Sequence, residues 1–250
     1  MDTCPVCGEK TKGTVKTLGI EMQVSIACKC RRAELEAERQ REELRRQAQR
    51  TQELRRRCFG NSALAQCTFA QDDAKLAKIS AAMKRYADNF PQMQAENMGI
   101  LLHGPVGGGK SFYAACIANA LIEQGRSAIM TNFSTVVNDL QESFSGRQAY
   151  LDRLASVSLL ILDDLGIERE TPYMQEQVYN IIDTRYRAKK PLIVTTNIAL
   201  EEIVEPKDLT YERIYDRVLE MCHPVKVNLA SRRRSKIEAE NSRRKNILGV

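Results

Sequence analysis

From Met98 to Leu229 the chain alternates short apolar runs with longer amphipathic stretches. GILLHG (99–104), SAIMTN (127–132), LLILDD (159–164) and PLIVTT (191–196) are each dominated by large or β-branched apolar residues and predict buried strands; PVKVNL (224–229) is a candidate fifth. After the first strand, Ala114, Ile117, Ala118, Leu121 and Ile122 recur at i, i+3, i+4, i+7 and i+8, one face of a helix that Gly125 ends. Ser134 is placed to cap the helix after the second strand. Thr171-Pro172 is placed to start the helix carrying Met174, Val178, Ile181 and Ile182. Strands separated by helices predict an α/β fold whose mostly parallel sheet is flanked by helices.

Upstream the pattern changes. Residues 72–88 predict a short helix, and Pro91 a boundary. Residues 31–57 contain neither Gly nor Pro and predict one long helix, with Glu42–Arg46 and Glu53–Arg57 as i,i+4 ion pairs. Its leucines, Leu35, Leu44 and Leu54, lie nine and ten residues apart, so no heptad seam forms and the segment reads as a charged, projecting arm. In the first thirty residues, Met22, Val24 and Ile26 alternate like a strand behind a Leu18-Gly19 turn. The expected organisation is a small module (1–30), the arm (31–57), a linker and helical lead-in (58–97) and the α/β domain (98–250), with little chain after 235 for a full helical lid.

Composition narrows the class. With 43% hydrophobic and 28% charged residues in 250, the chain is that of a globular protein. No apolar run approaches the roughly 20 residues of a membrane span, and MDTCPVCGEK lacks a basic-then-apolar signal pattern. The expected location is cytoplasmic, with no membrane partner, and there the eight cysteines are thiols or metal ligands rather than disulfides. The net charge of +6 is uneven: residues 31–57 hold ten Arg against six Glu, and residues 231–245 hold seven Lys/Arg against two Glu. Such runs either attract phosphate backbones or are solvated helix faces.

The chemistry concentrates in two places on the sheet. Gly104-Pro105-Val106-Gly107-Gly108-Gly109-Lys110-Ser111 matches G-x-x-x-x-G-K-[ST] in full, directly after a strand and opening an amphipathic helix. In that context the glycines let backbone N–H groups wrap phosphates, the lysine reaches the β/γ-phosphates and the serine ligates Mg²⁺. Asp163 and Asp164 end the third strand as adjacent like charges, which requires a positive charge or a proton nearby. Asp163 falls where the magnesium-side carboxylate of a P-loop site belongs. Asp164 is left to orient or deprotonate a water attacking the γ-phosphate.

With PLIVTTN following, these motifs resemble the AAA+ ATPases. HGPVGGGKS, LLILDDLG, PLIVTTN, YERIYDRV and ASRRR together are similar to the DnaC-type replicative helicase loaders and the related IstB-type transposition helper ATPases, over about residues 99–234. The resemblance implies an ATP-hydrolysing domain in which Asn197, or Thr196 beside it, senses the γ-phosphate. It implies an arginine finger acting on a neighbouring copy at Arg217, with Arg213 as the alternative, and a second sensor at Arg233. The partners implied are a hexameric replicative helicase, single-stranded DNA and further copies of the chain. The family more often has Asp-Glu where this chain has Asp163-Asp164, so a carboxylate one methylene shorter implies slow or partner-stimulated hydrolysis.

Cys4 and Cys7 with Cys28 and Cys30 flank the predicted hairpin as C-x₂-C and C-x-C, a ligand set for one tetrahedral Zn²⁺. A redox pair at Cys4/Cys7 or unligated thiols are the alternatives. Cys58, Cys67, Cys116 and Cys222 are scattered and read as packing residues. The expected cofactors are ATP, Mg²⁺ and Zn²⁺. A loader whose N-terminal module grips its helicase is the expected function, ahead of a transposition helper. A GTPase is disfavoured because N-K-x-D does not occur; a small-molecule kinase lacks lid arginines in the expected place. An adaptor that binds nucleotide without hydrolysing it stays open.

Overall fold

The computed structural model describes residues 2–17, 19–73, 75–142, 146–166, 172–206 and 209–229, together with 241, 244 and 247. It divides into two compact units, Met1–Gln52 and Glu53–Val250. In the first, β1 (Lys12–Thr17) and β2 (Ile20–Ser25) pair antiparallel, with Val15 opposite Met22 and Gly13 opposite Val24. The helix α1 (Lys29–Phe59) begins here, and the Glu9 carboxylate accepts from the Lys29 backbone N–H, which places a negative charge at the positive end of the helix. As the pattern predicts, α1 is uninterrupted from before residue 31 to beyond 57, and Glu42–Arg46 and Glu53–Arg57 are ion pairs.

The second unit is built on five parallel strands in the order β4-β5-β6-β3-β7. These are β3 (Gly99–His103), β4 (Ala128–Asn132), β5 (Leu159–Leu165), β6 (Leu192–Thr196) and β7 (Cys222–Lys226). Successive side chains along each strand enter opposite cores. Ile100, Leu102, Leu159, Ile161 and Ile193 pack with α4 (Lys110–Glu123) and α2 (Ala77–Asp88), together with Cys58 and Phe59 from the end of α1. Leu101, Leu160, Leu162, Leu192 and Val194 pack on the other side. There they meet α5 (Phe133–Glu142), α6 (Arg147–Ser156), α7 (Pro172–Arg187), α8 (Leu200–Val204) and α9 (Leu209–Met221). No helix among the described residues is long and apolar enough to cross a membrane.

Several boundaries differ from expectation, each for a local reason. Pro91 does not separate domains but occupies the first turn of α3 (Phe90–Ala95), where its missing N–H costs nothing. The predicted helix 72–88 shrinks to α2: Asp72 is the extended residue that ends the 3₁₀ turn 69–71, and Leu76 is the non-helical residue before Ala77. Asn132 rather than Ser134 caps α5, its Oδ1 accepting the Thr135 N–H at 2.8 Å. The fifth strand starts at Cys222, two residues before the predicted run, because Cys222 pairs with Gly99. The third strand continues past both aspartates to Leu165.

Arg185 near the end of α7 is 1% exposed, and its guanidinium donates to the carbonyls of Leu154, Ala155, Val157, Ser158 and Pro191 at 2.7–3.4 Å. It thereby joins the end of α6 to the starts of β5 and β6, although burial pulls its pKa down to about 10. Removing it strands several buried carbonyls at once. Arg185→Leu is expected to lower unfolding free energy by on the order of 3 kcal/mol, as measured by urea denaturation.

Candidate nucleotide-binding site and thiol cluster

β3, beside β6 in the sheet, leads into the glycine loop, and the chain turns sharply at its end. Gly104 adopts φ 141°, and a Cβ there would lie 2.3 Å from the Val227 carbonyl oxygen, so only glycine fits where the segment after β7 crosses the loop. At Gly108 the reason is packing rather than conformation: its Cβ position lies 3.1 Å from the Pro105 oxygen and 3.2 Å from that of Val227. Lys110 then opens α4, which sets the loop against a helix N-terminus whose first amides have no partner within the helix. Lys110 is 4% exposed, and its Nζ donates to Gly104 O and Pro105 O at 2.9 Å and to Asn197 Oδ1 at 2.6 Å. A cation, helix-end amides and a glycine-rich loop together fit a polyphosphate. Val106 is 62% exposed at the tip of the loop, and Ser111 is half-buried in the first turn of α4.

The two aspartates are not equivalent. β5 and β6 are in register at Leu162↔Val194 and again at Leu165↔Thr196, so β5 carries one extra residue, a bulge at Asp163-Asp164. Asp164 takes up the bend in the left-handed region, φ 59°. Asp163 Oδ1 accepts from Thr195 Oγ1 at 2.7 Å, and the same hydroxyl accepts the Asp164 backbone N–H at 2.9 Å. Thr196 Oγ1 donates to Leu165 O at 2.7 Å. Asp163 also lines a cavity of about 230 Å³ with Phe59, Ser62, Met130, Asn132 and Thr135. A half-buried carboxylate with an oxygen beyond the threonine bond is a suitable Mg²⁺ ligand. Neither threonine role was read from the sequence; the signal was Thr195's place two residues before Asn197, near the end of the fourth strand.

Arg217 on α9 does not project freely. Its guanidinium stacks 4.1 Å above the Tyr186 ring, donates to Glu220 at 2.8 Å and lies 3.9 Å from Asp183, with the side chain 30% exposed. Arg213, one turn earlier, is exposed. Arg233 and the rest of ASRRR lie outside the described residues.

In the first unit the Sγ atoms of Cys4, Cys7, Cys28 and Cys30 all lie within 4.8 Å of one another. Thiolates on one tetrahedral zinc are separated by about 3.8 Å, so the set fits a single ion after slight contraction. The Glu9 backbone amide, aided by hydrogen bonds from Cys30 and Cys4, lowers the pKa of Cys7 to about 6, and the hydrogen bond to Cys7 pushes Cys30 up to about 11. A thiolate at Cys7 is a ready first ligand at neutral pH. Cys58, Cys116 and Cys222 are buried packing residues, and Cys67 is half-buried.

A phosphate-wrapping loop after β3, next to the edge strand β7 of a 5-stranded parallel sheet, with carboxylates ending β5 two places away, is the arrangement of the AAA+ class of P-loop fold. The chain belongs to the family of IstB-like ATP binding proteins, whose profile matches residues 28–239. Among curated relatives it is 26% identical over 156 residues to the replicative helicase loader DnaC of Escherichia coli K12, covering 61% of this chain and 62% of that one. The fold is also that of the crystal structure of the DnaC helicase loader, with a TM-score of 0.56, 20% identity and coverage of 65% of this chain and 97% of that one. AMPPCP-bound DnaA from Aquifex aeolicus gives a TM-score of 0.52 at 21% identity, over 72% and 55% of the two chains.

The thiol cluster yields a direct test. Metal analysis of the purified chain is expected to give about one zinc per molecule, and Cys4→Ser to lose it. Cys7 is lowered to about 6, but Cys28 and Cys30 are raised, Cys30 to about 11, so zinc must displace protons from them at neutral pH. Zinc affinity, followed by competition with a chromogenic chelator, is expected to fall steadily as the pH is lowered through neutrality, and to fall more steeply as it drops through about 6, where Cys7 also takes up its proton.

Proposed function

We propose that the chain is an ATP-driven loader that delivers a hexameric replicative helicase to single-stranded DNA. The observation that carries the ATPase half is the buried Lys110 ammonium, tied both to the loop carbonyls and to Asn197 at the end of the neighbouring strand. This contact supports reading Lys110 as the β/γ-phosphate cation and Asn197 as the γ-phosphate sensor. In this reading the backbone of Gly104, Pro105, Val106, Gly107, Gly108 and Gly109 cradles the triphosphate. Ser111 and Asp163 would hold Mg²⁺, which when bound would supply positive charge to the phosphates, and Asp164 would act on the attacking water. Asn197 exchanges its bond to Lys110 for one to the γ-phosphate or its water.

Arg217 is the residue assigned to reach a neighbouring copy's nucleotide, and Arg233 the second sensor. For Arg217 to act in trans it must leave Glu220 and Tyr186, so assembly and hydrolysis are coupled through that exchange. The zinc-binding module at 1–30 and the arm supply the grip on the helicase; the module lies almost wholly ahead of residue 28, where the family match begins, and the arm lies within the match. The short Asp164 makes unassisted hydrolysis slow, with DNA or helicase as the accelerator.

A second reading, an ATPase helper of DNA transposition, is favoured by the IstB-like family match itself. Size-exclusion co-elution of the full chain with the cognate helicase or with a transposase separates the two. The loader reading expects an ATP-dependent complex with the helicase, and a complex with the transposase alone reverses it.

Lys110→Ala is expected to abolish ATP binding in a fluorescent-nucleotide titration; unchanged affinity would remove the P-loop assignment. Arg217→Ala is expected to bind ATP as the parent does and to lose hydrolysis only at concentrations where copies assemble.

A further inference from the structure

Adjacent carboxylates at a metal site must be made different if one is to bind the ion and the other to face water. In this chain the difference is imposed from the neighbouring strand. Thr195 sits on β6 opposite the extra residue of β5, between the paired positions Val194 and Thr196, and is completely buried. Its one hydroxyl donates its proton to Asp163 Oδ1 at 2.7 Å and accepts the Asp164 backbone N–H at 2.9 Å. A hydroxyl has a single donor, so these two bonds fix its rotor completely. The bond to an ionised carboxylate is of the strong, charge-assisted kind.

We infer that Thr195 is a positioning residue for ATP hydrolysis, holding one oxygen of Asp163 so that the other is presented to Mg²⁺ and pinning the bulge that turns Asp164 away. This inference rests on the reading of Asp163 as the magnesium ligand. Two features tie the role to the hydroxyl rather than to bulk. The ladder between β5 and β6 is interrupted at the bulge, so the Thr195 side chain supplies a partner to the Asp164 N–H there. The next residue, Thr196, closes the far side of the same bulge, its Oγ1 donating to Leu165 O and accepting the Ile198 N–H at 3.1 Å. Thr195 thus faces the aspartates while Thr196 holds the exit of the strand.

The test compares Thr195→Val, which keeps the shape and loses the hydroxyl, with Thr195→Ser, which keeps the hydroxyl, in the full chain. ATP hydrolysis and fluorescent-ATP binding are each titrated with Mg²⁺. Thr195→Val is expected to bind ATP without Mg²⁺ as the parent does, and to need about tenfold or more Mg²⁺ for half-maximal hydrolysis with a reduced kcat. Thr195→Ser is expected to stay within about twofold of the parent on all three readouts. A purely structural threonine would lower the melting temperature without moving the Mg²⁺ midpoint. An unshifted midpoint in the valine variant, or a serine variant as impaired as valine, overturns the inference. Should the valine chain not fold, Thr195→Ala, which also lacks the hydroxyl, takes its place, and an unshifted Mg²⁺ midpoint there overturns the inference. Failure of the underlying reading is distinguishable, because the parent chain itself would then show no Mg²⁺ dependence and Asp163→Asn would change nothing.

Discussion

The hydrogen-bonded register of β3, β5 and β6 decides which side chains meet at the C-terminal edge of the sheet. His103 is level with Thr196, and Leu162 with Val194. Parallel strands carry their helices over the two faces and release their ends along one edge, so residues from distant parts of the sequence arrive together. Lys110 and Asn197 are 87 positions apart and 2.6 Å from contact atom to contact atom because of that register. The same geometry brings the backbone after β7 against the loop, where Gly104 and Gly108 leave room for carbonyl oxygens.

A one-residue departure from the register creates the chemical asymmetry. With perfect pairing, Asp163 and Asp164 would simply alternate faces of the sheet. The bulge bends the strand, sends Asp164 into the left-handed region and leaves its N–H to a threonine hydroxyl. Bulges are tolerated at strand ends where the core no longer demands strict alternation, which is where this one lies. Aspartate is among the residues that accept the left-handed region most readily, so the same residue type suits both the bend and the chemistry.

Much of this was legible in the sequence because the relevant signals are local. The 3.6-residue stripe of α4, the four apolar strands and the eight-residue loop each declare themselves within a short window. The cysteine spacing likewise predicts a four-thiol cluster, and the Sγ atoms converge. Pro91 was misread as a boundary because proline ends one helix and opens another equally well. The bulge was illegible, since nothing in LLILDDLG says that its partner strand is one residue shorter over the same span. Thr195 was hidden for the same reason: a hydroxyl in a buried strand gains meaning only from what lies across the ladder. Arg217's stacking on Tyr186 joins two helices whose relative placement no periodicity gives. ASRRR falls outside the described residues and keeps only its resemblance.

That the sheet edge is a Mg²⁺-nucleotide site can be tested without any mutation, by hydrogen–deuterium exchange on the full chain with Mg²⁺·ATP, with ATP and chelator, and with AMP. The account predicts that Mg²⁺·ATP slows exchange in peptides covering 104–111, 163–166 and 195–197. Chelator should remove the protection at 163–166 first, and AMP should protect none of the three. Unchanged exchange at 104–111 with saturating Mg²⁺·ATP, or protection confined to other segments, would contradict it.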